Sequence, residues 1–180
     1  MLKEETRIGI KKNVCNDPGA ASSTTPATTT TTEGTGIVDG KVWGTHTGDL
    51  SNLVTFDDKD EWNGGRITAI SMRCGPYPLA FRLQYNGVWA PINGFWSEAC
   101  APNNSWTPVH NFDDDEKIVS VEISDNWWLD SVTLTTNKRT LETCGIPNAA
   151  HINVETGKRL AYISGQYGCF FDHLQFHWVS

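Results

Sequence analysis

The sequence lacks the features that mark several large classes of protein. Its 180 residues contain no run of 18 apolar residues, so we predict no membrane-inserted helix. The opening stretch MLKEETRIGIKK is charged and has no apolar segment of the kind found in a signal peptide. Lys and Arg number 14 against 21 Asp and Glu, and the net charge of −7 argues against nucleic acid or an anionic membrane as partner.

Motifs for catalysis and for metal binding are also missing. The chain has no GxSxG, P-loop or Cys-His signature, and no CxxC or HxxH pair for zinc. His173 and His177 would stand about 13 Å apart along a strand, too far for one ion. Asp172 and Asp49 resemble a glycosidase pair only in residue type, since nothing in the sequence sets their separation. We therefore predict a non-enzyme that uses no cofactor or metal.

The cysteines indicate an oxidising compartment. With no metal-binding spacing among them, the five cysteines favour a disulfide framework. Asn103 begins an Asn-Asn-Ser glycosylation sequon, and a Thr-rich tract fits an O-glycosylated linker. We expect a secreted, extracellular glycoprotein whose signal peptide is not present in this chain.

Composition divides the chain into three parts. Residues 1–19 are interpreted as a tail or the stump of a preceding region, and residues 20–36 as a Thr-rich linker, disordered or O-glycosylated, with almost nothing to bury. Residues 37–180 hold all eight tryptophans and form the predicted domain. Cys15, in the tail, is either a free thiol or the site of a bond to a second chain or a lost segment. A bond between chains, detectable on non-reducing gels, would make the protein multivalent.

The domain contains three hairpin-like segments that can be superimposed: Ile67–Gly87, Ile118–Lys138 and Arg159–Trp178. Each begins with a short β-run, crosses a turn and returns as an alternating strand. The returning strands place one set of apolar residues on a common face: Phe81, Leu83, Tyr85, Val132, Leu134, Leu174 and Phe176. None of the units can bury its own face alone, so the pattern predicts an all-β prism of three sheets with pseudo-threefold symmetry.

Four stretches, in this order, resemble a known family. They are FDD (Phe56–Asp58) followed by GGRITAISMRCG, then LQYNGVW (Leu83–Trp89), LTTNKRTLETCG (Leu134–Gly145) and RLAYISGQYGCFFDHLQFHW (Arg159–Trp178). Together they resemble the jacalin-related lectins, most of all the animal zymogen-granule type, from about Val42 to Trp178. The resemblance implies a β-prism I fold of three antiparallel four-stranded sheets. It also implies non-catalytic glycan binding by three loops at one end of the prism.

The resemblance assigns a role to each of these loops. The binding loop carries a Gly-x-x-x-Asp motif, here Gly168-Cys169-Phe170-Phe171-Asp172. A carboxylate such as Asp172 can accept hydrogen bonds from two neighbouring sugar hydroxyls. The alternative is that Asp172 only caps the turn. In the glycine-rich loop, Trp43–Asp49, the usual paired glycines are missing and Gly48 and Asp49 are the nearest equivalents.

The recognition loop, Ser124–Trp128, contributes Asp125, Asn126 and Trp127 as candidate sugar contacts. A tryptophan can stack on the apolar side of a pyranose. We expect Trp127 to be exposed and Trp128 to be packed. For the disulfides, three pairings of Cys74, Cys100, Cys144 and Cys169 are possible, and we favour Cys74–Cys100 with Cys144–Cys169.

These observations predict a secreted lectin domain that binds glycans or glycoproteins, with mannose-type glycans as the first expectation. Two alternatives stay open. One is a structural module of a matrix, coat or filament with a decayed sugar site, suggested by the altered glycine-rich loop and the bulky Phe170-Phe171 pair. The other is the targeting domain of a larger adhesin or toxin.

Overall fold

A computed structural model describes residues 36–44, 53–95 and 103–180 of the chain. The predicted tail and linker, apart from Gly36, lie outside these ranges. The described helices are one four-residue α-helix, α1 (Lys59–Trp62), and a 3-10 helix at Ala149–His151, and neither is long and apolar enough to cross a membrane. The strands are β1 (Ile37–Trp43), β2 (Val54–Asp57), β3 (Ile67–Cys74), β4 (Pro78–Tyr85), β5 (Val88–Trp89), β6 (Asn93–Gly94), β7 (Ser105–Trp106), β8 (His110–Asn111), β9 (Ile118–Asp125), β10 (Leu129–Thr136), β11 (Cys144–Gly145), β12 (Ile152–Thr156), β13 (Arg159–Tyr167) and β14 (Phe171–Val179).

The strands form three antiparallel sheets. The first sheet has the order β1-β14-β13-β2, which joins the first strand of the domain to the last. The third sheet has the order β11-β10-β9-β12. Each is built on one of the hairpins seen as a repeat in the sequence, β13–β14 in the first sheet and β9–β10 in the third. The predicted all-β architecture of three sheets is confirmed.

The second sheet is built on the hairpin β3–β4 and has interrupted outer strands. On one side β4 pairs with β5 and then β6, and on the other β3 pairs with β7 and β8. Pro91 lies between β5 and β6, and Pro108 between β7 and β8. Proline has no backbone N–H for the ladder, so each outer strand is divided in two while the sheet keeps four strand positions.

The core lies between the three sheets. Every residue that the repeat places on the common face is buried, as is the fully enclosed Phe171 at the start of β14. The Phe171 ring lies 5.1 Å from that of Phe81, which links the first sheet to the second. The period-two pattern therefore predicted the inward face of each returning strand correctly.

The disulfide pairing differs from the one that we favoured. Cys74, at the end of β3, is bonded to Cys144 in β11, with 5.1 Å between their Cα atoms. The predicted pairs Cys74–Cys100 and Cys144–Cys169 are therefore wrong. The ends of the second and third sheets meet at this point, so two cysteines 70 residues apart in sequence become neighbours. Cys169 is also disulfide-bonded, and Cys15 and Cys100 lie outside the described residues.

Candidate functional site

The three loops expected to bind sugar are brought together at one end of the prism. Gly44 follows β1, and its N–H donates a hydrogen bond to Oδ2 of Asp125 at 3.2 Å. Gly44 has a φ of +78°, and a Cβ there would collide with the backbone oxygen of Asp172. Only glycine combines this backbone conformation with so close an approach. Gly44 thus ties the ends of β1, β9 and β14 to one another, a role that the sequence pattern did not indicate.

Asp172 is the second residue of β14 and is only 5% exposed. Its Oδ2 accepts a hydrogen bond of 3.1 Å from the N–H of Gly168, which also points to the carbonyl oxygen of Phe170. The side chain therefore does cap its own turn, as the alternative interpretation requires. Capping the turn does not by itself exclude ligand binding, because a carboxylate can accept about four hydrogen bonds.

An aromatic cluster spans the same end of the molecule. The ring of Tyr77 lies 4.9 Å from that of Phe170 and 6.2 Å from that of Trp128, and the Trp128 and Phe170 rings are 5.6 Å apart. We call these three side chains the turn triad, because each comes from the turn of a different hairpin. All three occupy the same repeat position, four residues before Phe81, Val132 and Leu174. That shared spacing was the signal by which Tyr77 could have been found.

The two tryptophans of the recognition loop are placed as predicted. Trp127 is 66% exposed, whereas Trp128 is half-buried and packs in the turn triad. Asn126 is exposed as well. This confirms which tryptophan faces solvent, while its contact with a sugar stays a prediction.

The end of the prism where the three loops meet, which we call the loop end, is acidic. Asp130, the repeat equivalent of Asp172, lies near Asp125. Burial and then the charge of Asp125 raise the pKa of Asp130, while His151 lowers it. Asp125, Asp130 and Asp172 together make this end of the prism rich in hydrogen-bond acceptors. Such a surface suits neutral hydroxyl donors and repels anions.

The remaining candidates are distributed as follows. Cys169 is exposed, whereas Phe171 is wholly buried in the core, so its predicted contact with a sugar is not available to its side chain. Asn103 is exposed in the turn before β7, with a φ of +63°. Gly48 and Asp49 lie outside the described residues. Among the described residues, no three His, Cys, Asp or Glu side chains are grouped so as to hold a metal ion.

A second polar group lies on the outer face of the first sheet. The His177 ring is hydrogen-bonded through Nδ1 to Asp39 at 2.7 Å and through Nε2 to Ser164 at 2.8 Å. The connectivity is that of a Ser-His-Asp triad. However, Ser164 belongs to β13, an inner strand paired on both sides, so its backbone and that of Gly165 provide no oxyanion-binding N–H groups. The chain of hydrogen bonds fastens β1 to β14 and β13.

The fold agrees with comparisons to known proteins. A family model described as "Jacalin-like lectin domain" matches residues 41–177. Among solved structures, a mannose-specific jacalin-related lectin from Morus nigra in complex with mannose is 21% identical, with a TM-score of 0.59 over 84% of this chain and 98% of that one. AcmJRL, a mannose-binding jacalin-related lectin from Ananas comosus, is 18% identical, with a TM-score of 0.58 over 78% and 96%.

A third solved structure, wild-type Malaysian banana lectin, is 19% identical, with a TM-score of 0.59 over 79% of this chain and 97% of that one. At these identities the likeness shows a shared fold. No curated protein matches the sequence.

Proposed function

Because the chain belongs to the jacalin-like lectin family, whose members bind carbohydrate without catalysing a reaction, we propose that it binds glycans through the loop end of its prism. The observation that supports this most is the convergence of Gly44, Asp125 and the Gly168–Asp172 turn. These are parts of the three loops that the family resemblance assigns to sugar binding. Their contacts pre-organise the loops, which lowers the cost of ordering them around a ligand.

The chemistry of this end suits a neutral sugar. Asp172 provides carboxylate acceptors for two neighbouring hydroxyl groups, and the exposed indole of Trp127 provides an apolar face for the pyranose ring. We propose mannose-type glycans as the ligand. The intact Gly-x-x-x-Asp motif supports this, as do the mannose-specific and mannose-binding lectins among the structural neighbours.

We place the protein outside the cell. The Cys74–Cys144 bond and the disulfide of Cys169 support this location, because disulfides persist mainly in oxidising compartments. The exposed sequon at Asn103 is consistent with passage through a secretory route.

The test is a glycan array with the protein displayed multivalently, comparing the wild type with Asp172→Asn. The asparagine keeps an oxygen for the Gly168 N–H but removes the charge, so mannose-type binding should fall by about tenfold to a hundredfold, the usual worth of a charged hydrogen bond. The matched control is Asp114→Asn, which removes the same charge from a fully exposed side chain and should bind as the wild type does.

Thermal unfolding of each variant checks that the fold is intact. If folded wild-type protein binds no glycan, the proposal fails and the structural-module interpretation takes its place. If Asp172→Asn binds as tightly as the wild type, the loop end is not the site.

A further inference from the structure

The second sheet carries a groove on its outer face, away from the core. The groove has a volume of about 300 Å³ and crosses the strands of the sheet, at the lower end of the range for small-ligand sites. Arg82 of β4 lies in its floor beside Ser71 of β3, to which it is paired across the hairpin. Trp89 and Trp106 belong to the outer strands on opposite sides of this floor.

Arg82 is held in place by stacking. Its guanidinium carbon lies 4.8 Å from the centre of the Trp89 ring, a cation–π distance. Among the described residues the Arg82 side chain has no hydrogen-bond or ion-pair partner, and the residues that line the groove include no carboxylate. The indole therefore orients the guanidinium, whose N–H edge is left to meet an acceptor from outside.

The groove walls are apolar and partly open to solvent. Both indoles are half-buried, Ile92 is 38% exposed and Val109 is 50% exposed. The wall behind Ser71 is fixed, because its hydroxyl donates a 3.0 Å hydrogen bond to the carbonyl oxygen of Thr107. A rigid aromatic face beside a free guanidinium fits a ligand with a flat apolar side and an anionic group.

We propose that this groove is a second carbohydrate site, which takes a sugar bearing a carboxylate, such as a uronic acid. The pyranose ring stacks on an indole, and the carboxylate accepts two hydrogen bonds from the Arg82 fork. The site is separate from the loop end, since Arg82 lies five residues along β4 from the Tyr77 turn, about 17 Å at the rise of a strand. The proposal does not depend on sugar binding by Asp172.

The charges of the two sites give them different ligands. The loop end, with Asp125, Asp130 and Asp172, repels an anionic sugar. The groove offers the opposite charge within a protein whose net charge is −7. A domain with both sites would hold a neutral and an acidic sugar at once, on two different surfaces.

The experiment follows the indole N–H signals of Trp89 and Trp106 by NMR, assigned with Trp→Phe variants. The wild-type protein is titrated with methyl β-glucuronide and, separately, with methyl β-glucoside, which has a neutral hydroxymethyl group in place of the carboxylate. We expect both signals to shift with the glucuronide at concentrations of about 1 to 10 mM, typical of a single shallow site, and to stay unchanged with the glucoside.

Three variants test whether the glucuronide binds in the groove through Arg82. Arg82→Gln should weaken glucuronide binding at least tenfold. Lys158→Gln, which removes the same charge from an exposed position outside the groove, should bind as the wild type does, and so should Asp172→Asn. The proposal is overturned if the wild type gives no shift, if the glucoside shifts the same signals equally, or if Arg82→Gln and Lys158→Gln lose equal affinity. Equal shifts with methyl glucoside 6-sulfate would overturn selectivity for a carboxylate.

Discussion

At the scale of single residues, Asp58 is an acidic side chain that lies inside the fold. It follows β2 and is 2% exposed. The hydroxyl of Tyr85 donates to its Oδ2 at 2.9 Å, and the amide of Asn93 donates to its Oδ1 at 2.7 Å. Burial raises the pKa of Asp58 to about 6, against the lowering effect of these two hydrogen bonds. Because the unfolded chain releases this proton near its ordinary value of 3.8, Asp58 makes stability depend on pH.

The direction of this pH dependence follows from proton binding. Between pH 3.8 and about 6 the folded state binds more protons at Asp58 than the unfolded state does, so the free energy of unfolding falls as pH rises through this window. The raised pKa of Asp58 contributes about 3 kcal/mol to the free energy of unfolding. This contribution is fully present below pH 3.8 and is lost above about pH 6. Asp58→Asn, which cannot ionise, should lack this fall. Urea unfolding of both proteins from pH 3.5 to 7 measures the difference, and parallel curves would contradict the prediction.

At the scale of secondary-structure elements, the turn triad joins three hairpins that belong to three different sheets. Tyr77 is its member from the β3–β4 turn, which the Cys74–Cys144 bond holds beside β11. A hydrogen bond from the N–H of Ile146 to the carbonyl oxygen of Pro76 fixes the same turn. The packing of the triad therefore helps to hold Phe170 and its binding loop in place.

Tyr77→Ala removes one ring of the triad, so Trp128 and Phe170 lose their contacts with that ring and keep their contact with each other. We expect the free energy of unfolding to fall by about 2 kcal/mol, less than for a fully buried aromatic residue, and glycan affinity to fall because the Phe170 turn is less ordered. Tyr77→Phe, which keeps the ring, should restore both. Denaturant unfolding and glycan binding measure the two effects, and an unchanged stability of Tyr77→Ala would show that the triad does not hold the loops.

At the scale of the whole molecule, the second and third sheets are joined covalently. The Cys74–Cys144 bond links β3 to β11 and closes a loop over a separation of 70 residues. The chain-entropy treatment gives about 4 kcal/mol for a loop of this length, because the bond restricts the unfolded chain.

Replacing both Cys74 and Cys144 by alanine should lower the free energy of unfolding by about 2–4 kcal/mol. The double variant is compared with the wild type under non-reducing conditions, so that the Cys169 disulfide is retained in both. Loss of less than about 0.5 kcal/mol, within the scatter of ordinary surface substitutions, would show that the bond adds little to the packing of the prism.

The local pattern of this protein follows from its amino-acid sequence. Alternation along Phe81, Leu83 and Tyr85, and along the matching strands of the other repeats, predicted the strands and their buried faces, because a strand turns successive side chains to opposite sides. The recurrence of that pattern predicted three sheets around one core. The family resemblance indicated the loops that lie at one end.

Which distant residues meet depends on the way the three sheets pack together. Gly44 contacts Asp172, Cys74 is bonded to Cys144, and Tyr77 joins Phe170. The groove around Arg82 exists because β5 and β7 place one indole on each side of it, that of Trp89 and that of Trp106. Contacts of this kind depend on how three sheets close on a shared core. Strand periodicity repeats every two residues and contains no information about which sheet edges and ends come together.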